Sequence, residues 1–420
     1  GSLFQTFYNL VDTYFAGRIS PEALAAIAKS WPIYFIAIAV AVGIGAGTTA
    51  LISNSIGAKE DRKASMYVAQ SIVLAIVISI FVTLFGLNFS DELLRIMGST
   101  EESIILTREY LDIIFFGAII VLAQLSLNGT LNAQGDTKSY RNVLIFTFFL
   151  NIFLNPLFIF GYGFIPAFGI AGLAIATLVS QCVGLIYLAN KVYCCKLKKY
   201  LYLECFKPKF DYISTLFKQS VPIMFTMLMI MFGVFNIFYF VGQFGELATA
   251  GYGTAVRIEQ VLLLPVIGLN TAVLSIAGQN FGAKEFERLK TTYRDGLIFC
   301  IGYIILIWFA LVLLNDVIIQ AFNIDDFGAD IIWTFTHFTP GSFIFTGMMF
   351  VACSVFNNSG KPLWSTGLNW ARDGLFTLPT ALLISGSYAA SGVIYAQGIV
   401  AIFFGIIAVI WGLYYVRKLN

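Results

Sequence analysis

The chain has 420 residues, of which 59% are hydrophobic and only 11% charged, with a mean hydropathy of +0.84. A soluble domain carries about 25% charged residues, so ordinary soluble and disordered chains are excluded, and lipid is the solvent for most of this surface. The net charge of +2 argues against nucleic acid as a partner.

A helix needs about 20 apolar residues to cross a bilayer. Apolar runs separated by charged or Gly/Pro-rich breaks predict twelve spans. In chain order they cover residues 3–15, 23–56, 66–89, 104–131, 142–160 and 170–193, then 221–244, 248–281, 297–314, 331–356, 363–384 and 389–415. The first is short, which predicts a clipped N-terminus. The chain starts at Gly1-Ser2, and nothing before that run reads as a cleavable signal peptide.

Charge tests this count. The loops after the even-numbered spans hold 19 of the 25 Lys and Arg residues, and the opposite loops and helix ends hold four, Arg18, Lys29, Arg95 and Arg108. Arg257 and Arg372 fall inside spans. Such a split predicts a multi-pass membrane protein with both termini cytoplasmic. The other face is acidic, with Asp91, Glu92, Glu101, Glu102, Asp316, Asp325, Asp326 and Asp330.

The chain also repeats itself. Gly57-Ala58-Lys59-Glu60 recurs 225 residues later as Gly282-Ala283-Lys284-Glu285, and Asn132-Ala133-Gln134-Gly135 aligns with Asn357-Asn358-Ser359-Gly360 at the same offset. A constant offset across several matches marks an internal duplication. Six spans per copy start both copies on the same side, so the repeats are parallel. The expected organisation is an N-lobe over 1–193, a Lys-rich cytoplasmic linker over 194–216 and a C-lobe over 217–420. Two such lobes suit alternating access.

The six cysteines have no metal-ligand spacing and are expected as free thiols. The only histidine is His337, which excludes a His-based metal site or triad. Gly43-x-Gly45-x-Gly47 lacks the Gly-Lys-Ser/Thr of a phosphate loop and reads as close helix packing. No cofactor and no nucleotide-binding domain is expected, so an ion gradient must drive any uphill work.

Ionisable groups inside spans are functional candidates by default. Five are singled out: Asp12, Arg257, Glu259, Arg372 and Asp373. Asp12 shares helical spacing with Gln5, Tyr8 and Asn9, predicting a polar stripe that faces the lobe interior. Asn151 and Asn155 lie four apart in span 5, followed by Pro156, which removes a backbone donor. With Thr177 of span 6 they could surround Asp12 with oxygen ligands for a hard cation such as Na+, or leave a proton on the carboxylate. A packing role for the two asparagines and Thr177 stands as the alternative. Arg257 and Glu259, two apart, cannot face each other on one helix. Pairing across to Arg372 or Asp373 is expected, as structural ion pairs or as lining of a substrate cavity.

The run Asp12-Thr13-Tyr14-Phe15-Ala16-Gly17, Asn132-Ala133-Gln134-Gly135-Asp136, Asn151-Ile152-Phe153-Leu154-Asn155-Pro156 and Gly278-Gln279-Asn280-Phe281-Gly282-Ala283 resemble the signatures of the MATE (multidrug and toxic compound extrusion) family, in its prokaryotic DinF-like branch. The resemblance implies an all-α membrane protein with twelve helices in two pseudo-symmetric six-helix lobes. It implies an antiporter that exchanges external H+ or Na+ for small cationic or amphipathic compounds and is expected to act as a monomer. Asp12 takes the coupling position, with Tyr8, Asn151, Asn155 and Thr177 around it. DinF-like members often carry Asp where this chain has Asn155, a departure that should weaken sodium binding more than protonation. Another branch uses an acidic residue in span 7, and here that span has none. The alternative from the same superfamily is a flippase of a lipid-linked oligosaccharide precursor, for which a more cationic cavity is expected. A membrane enzyme is disfavoured, because no convergent catalytic cluster is visible.

Overall fold

The computed structural model describes residues 2–321 and 326–419. The chain is helical almost throughout: α1 (Ser2–Ile19), α2 (Pro21–Gly57), α3 (Asp61–Ile96), α4 (Glu101–Phe116), α5 (Ala118–Ala133), α6 (Lys138–Phe160), α7 (Gly169–Tyr193), α8 (Phe210–Gly242), α9 (Glu246–Gly282), α10 (Phe286–Ala321), α11 (Asp326–Asn358), α12 (Pro362–Asn369) and α13 (Thr377–Arg417). Two 3₁₀ turns, Lys196–Tyr200 and Leu203–Phe206, lie between α7 and α8, and a π-helical turn, Trp370–Phe376, joins α12 to α13. Among the described residues nine helices are long and apolar enough to cross a membrane, and α4 with α5 forms a tenth span bent by 46°. The other two predicted spans, residues 3–15 and 363–384, fall on α1 and on α12 with the π-helical turn and the start of α13. α1 is made less apolar by Gln5, Asn9, Asp12 and Arg18, and the second span is divided among α12, the π-helical turn and the start of α13.

Local chemistry explains the breaks. Ser20 caps α2, its Oγ accepting from the Ala23 N–H at 3.0 Å, and Pro21 occupies the first turn, where its missing N–H costs nothing. Span 4 was expected as one helix. It bends at Gly117, where a Cβ would meet the Leu178 side chain at 2.1 Å, and the Thr83 hydroxyl donates to the Phe115 carbonyl at the bend. Spans 11 and 12 were expected to be separated by a loop, yet α13 runs helically from Thr377 to Arg417. It still doubles back, because a Cβ on Gly392 would lie 2.7 Å from the carbonyl oxygen of Ile384. Eight residues of straight helix would hold those positions about 12 Å apart.

The chain forms two compact units, Gly1–Ile56 with Glu60–Met224, and Phe225–Asn420 with Gly57–Lys59. In the first, α6 packs on α7 and α1, and α5 on α3 and α7. Its core includes Ile44, Leu111, Phe115, Leu122 and Leu173. Small residues let backbones touch there: a Cβ on Gly129 would meet the Gly45 carbonyl oxygen at 2.3 Å, and the Thr49 hydroxyl donates to the carbonyls of Gly45 (2.9 Å) and Gly129 (3.1 Å). In the second unit α11 is central, packing on α9, α10 and α13.

The duplication is visible in backbone geometry. Lys59 and Lys284, 225 apart, both sit at φ 58°, a left-handed conformation uncommon for a lysine. The following N–H closes the helix in each copy, Glu60 to Ser55 O at 2.8 Å and Glu285 to Asn280 O at 2.9 Å. Gly135 and Gly360 repeat this match at φ 82° and 70°. After Gly135 the copies diverge. Asp136 accepts from the N–H groups of Lys138 and Ser139 and from the Ser139 hydroxyl. Burial pushes its carboxyl up, but these hydrogen bonds outweigh it and hold the group below the usual carboxylate range.

Candidate functional site

In the first unit α1 lies against α6 and α7, and these three helices build a closed polar ring. Asp12 and Tyr8, four apart on α1, share a face and are 7% and 4% exposed. Asn151 and Asn155 hold the same spacing on α6 and are fully buried. The Asn155 Nδ2 donates to Asp12 Oδ1 at 3.0 Å and to Asn151 Oδ1 at 2.9 Å. The Thr177 hydroxyl of α7 donates to Asp12 Oδ2 at 3.2 Å. Asn151 Nδ2 donates to the Tyr8 hydroxyl at 3.0 Å, and that hydroxyl donates to the Thr177 carbonyl at 3.4 Å. The five residues singled out from spacing and resemblance therefore meet in one place.

Two details differ from expectation. Asn9 was placed on the inward stripe, but it is exposed. It lies about 100° round the helix from Tyr8, and its carbonyl accepts from the Thr13 hydroxyl at 2.8 Å. Secondly, the two amide side chains were expected to supply oxygens to a cation held at Asp12. Asn155 instead presents nitrogen, because an acceptor-only carboxylate draws donors. Its own Oδ1 is buried without a hydrogen-bond partner. Among the described residues no cation pairs with Asp12, and no group of three His, Cys, Asp or Glu side chains could hold a metal. The side chains of Gln5 and Arg257 lie outside the described residues.

The second unit carries its charge differently. Arg372 was expected to pair, if at all, with residues of α9. It pairs instead with its neighbour Asp373, Nε to Oδ1 at 2.8 Å and Nη2 to Oδ2 at 2.7 Å. Both residues lie in the π-helical turn, and a similar contact between neighbours, Arg294 Nε to Asp295 Oδ1 at 3.1 Å, forms in the regular helix α10. Asp373 packs on Gly233 of α8, where a Cβ would come within 3.0 Å of its own Cβ. Glu259 of α9 is half-buried and is not in an ion pair among the described residues. The same π turn walls an apolar cavity of about 720 Å³, with Trp370 and Gly374 facing Phe225, Leu228, Met229 and Phe232 of α8.

Sequence reasoning missed Gln124 of α5. It is 3% exposed, beside Thr147 and Gly184, and its Nε2 is buried without a hydrogen-bond partner. It also missed Gln70 of α3, which is fully buried. Each is one neutral amide in an apolar run, a signal too weak to separate from ordinary helix packing.

A family model for MatE matches residues 1–157 and 222–383. The chain is 26% identical to the probable multidrug resistance protein YoeA of Bacillus subtilis, over 91% of this chain and 84% of that protein. It is 26% identical to an FAD transporter of Shewanella oneidensis (95% and 88% covered) and 24% identical to the multidrug export protein MepA of Staphylococcus aureus (94% and 87%). Among solved structures, a MATE protein in its bent conformation superposes with a TM-score of 0.91 at 25% identity, covering 99% of this chain and 92% of that one. An outward-facing multidrug resistance MATE transporter of the MOP superfamily gives 0.90 at 25% identity, covering 100% and 93%. With sequence signatures, twelve-span fold and family match in agreement, the chain belongs to the MATE family of membrane transporters.

Proposed function

We propose that this chain is a secondary active efflux antiporter for small cationic or amphipathic compounds, driven by an inward proton or sodium gradient acting on Asp12. The observation that carries this reading is the buried Asp12 carboxylate, held by Asn155 and Thr177 with no basic partner among the described residues. A carboxylate in lipid without a counter-charge is expensive. It gains by taking a proton or a cation, and it takes one more readily in whichever arrangement of α1, α6 and α7 buries it most.

That difference between arrangements is what an ion needs to drive a conformational change. With Asp12 ionised, the amide of Asn155 and the hydroxyl of Thr177 both donate to it. Protonation turns one carboxyl oxygen into a donor, which then needs an acceptor of its own. The orphaned Oδ1 of Asn155 offers an acceptor after rotation of its amide. Sodium would need the same rotation, with Asp12, Asn151, Asn155 and Thr177 supplying oxygens. Proton coupling is the simpler reading, because only one carboxylate is present.

The apolar cavity at the π turn suits the hydrophobic body of an amphipathic substrate, since Met and aromatic side chains repack around varied shapes. Descriptions of the relatives as multidrug exporters support this substrate class. An anionic substrate, as the relative described as an FAD transporter suggests, finds less support: Arg372, a natural anchor for phosphate, is already bidentate to Asp373. No relative described above supports the flippase reading. The chain is placed in the prokaryotic plasma membrane as a monomer with both termini inside. Its N-lobe is taken as 1–193 and its C-lobe as 217–420, joined by the linker.

The test is efflux of a cationic dye from proteoliposomes under an imposed proton gradient, then a sodium gradient. Wild-type efflux should follow the proton gradient, and Asp12→Asn should not. Undiminished uphill efflux by Asp12→Asn would sink the proposal.

A further inference from the structure

The segment from Lys191 to Phe210, between α7 and α8, holds six lysines, Lys191, Lys196, Lys198, Lys199, Lys207 and Lys209, against one acid, Glu204. All six lysines are exposed. Large apolar side chains stand exposed among them: Tyr193 at 59%, Tyr202 at 63%, Leu203 at 90% and Phe210 at 82%.

This segment is not a loose tether. Gln70 of α3 donates from Nε2 to the carbonyls of Cys205 (2.6 Å) and Lys207 (2.8 Å), and its Oε1 accepts from the Lys209 N–H at 2.9 Å. The Ser65 hydroxyl donates to the Leu197 carbonyl at 3.0 Å. Leu197 and Cys205 are buried against the first unit. The exposed lysines and apolar groups are therefore displayed on a fixed support, at the level where two membrane-crossing helices end.

A solvated linker has no use for Leu203 and Phe210 in water, and a protein core has no use for six exposed lysines. The headgroup layer of a bilayer accommodates both, with the apolar side chains reaching the acyl boundary and the ammonium groups staying among phosphates. Aromatic residues concentrate at this depth. Lys198 lies 4.0 Å over the Tyr193 ring and Lys199 5.6 Å over the Tyr200 ring, so the cations are carried on aromatic surfaces.

We propose that residues 191–210 form a docking surface for the anionic phospholipid headgroups of the leaflet that faces it, with Tyr202, Leu203 and Phe210 inserted at the interface. Each lysine near a charged membrane surface adds roughly fivefold in affinity, so several together select anionic over zwitterionic lipid. The inward orientation proposed above decides only which leaflet is met.

The test uses the full-length protein in nanodiscs whose two leaflets are alike, which makes the result independent of orientation and of the role of Asp12. A reporter is introduced by Leu203→Trp, at a site too exposed to disturb the fold. Its fluorescence is read as the difference from the unsubstituted chain. Brominated phosphatidylglycerol should quench it several-fold more than brominated phosphatidylcholine at equal mole fraction. Added salt, or replacing the six lysines with glutamine, should reduce that preference to parity. Equal quenching by the two lipids at low salt, no quenching by either, or a preference that survives loss of the lysines would each overturn the proposal.

Discussion

Asp12 and the Arg372–Asp373 pair are both buried charges in membrane-crossing segments, and they are handled in opposite ways. Asp12 is surrounded by neutral donors from two other helices. Arg372 and Asp373 neutralise each other within one turn, Nη2 to Oδ2 at 2.7 Å. A charge held only by dipoles across three helices depends on how those helices sit, so its ionisation and the packing of α1, α6 and α7 are linked. A charge cancelled locally imposes no such dependence. On the function proposed above, coupling belongs to the first unit, and the pair serves to hold the π turn beside the apolar cavity.

Loss of transport tests this contrast most directly. Asp12→Asn should lower gradient-driven efflux on the order of 100-fold, about 2.7 kcal/mol, while leaving the protein folded by thermal melting. Next comes stability in the second unit. Arg372→Leu strands the Asp373 carboxylate and should cost about 3–5 kcal/mol, whereas replacing both residues with apolar ones should cost far less. Unfolding measurements in detergent would show the difference. Similar losses for the single and double variants would mean that the pair is not self-contained.

Thr177→Val removes one donor to Asp12 and should slow efflux about tenfold, matching a lost hydrogen bond to a charged group. Asn155→Asp sharpens the same point from the other side. A second carboxylate beside Asp12 should add sodium-stimulated efflux, read by imposing each gradient in turn. The smallest effect lies outside the membrane. Asp136→Ala should cost about 1 kcal/mol at neutral pH through its lost bonds to Lys138 and Ser139. The Asp136 carboxyl titrates below its usual range, so its contribution is complete above the ordinary carboxylate pKa and disappears as pH falls through the lowered value. The difference in melting temperature between Asp136→Ala and wild type should accordingly shrink in acid.

Much of this was legible from residue order. The 225-residue offset located the turns at Lys59 and Lys284, and their matching left-handed backbones show that the copies kept the same chain reversal. Four-residue spacing put Tyr8 with Asp12 and Asn151 with Asn155 before any contact was known. What spacing could not decide is side-chain orientation. An asparagine has a donor and an acceptor of nearly equal size, and only the approach of Asp12 selects the Asn155 nitrogen. Asn9 is nearly as close to Asp12 in spacing as Tyr8 is, and only the placement of α6 and α7 leaves it exposed. The Arg372–Asp373 pair joins neighbours in the chain, where the sequence reading looked for partners on another helix.

The sequence by itself determined lipid as the solvent, twelve spans, the duplication, the family resemblance and the carboxylate of interest. These follow from hydrophobic periodicity, charge sorting and repetition, which are properties of order along the chain. Tertiary structure alone decided that Thr177 closes the ring on Asp12 and that Gln70 pins the lysine-rich segment in place. Those are contacts between residues up to 165 positions apart, as from Asp12 to Thr177, and no local pattern encodes which polar group a distant helix will bring against another.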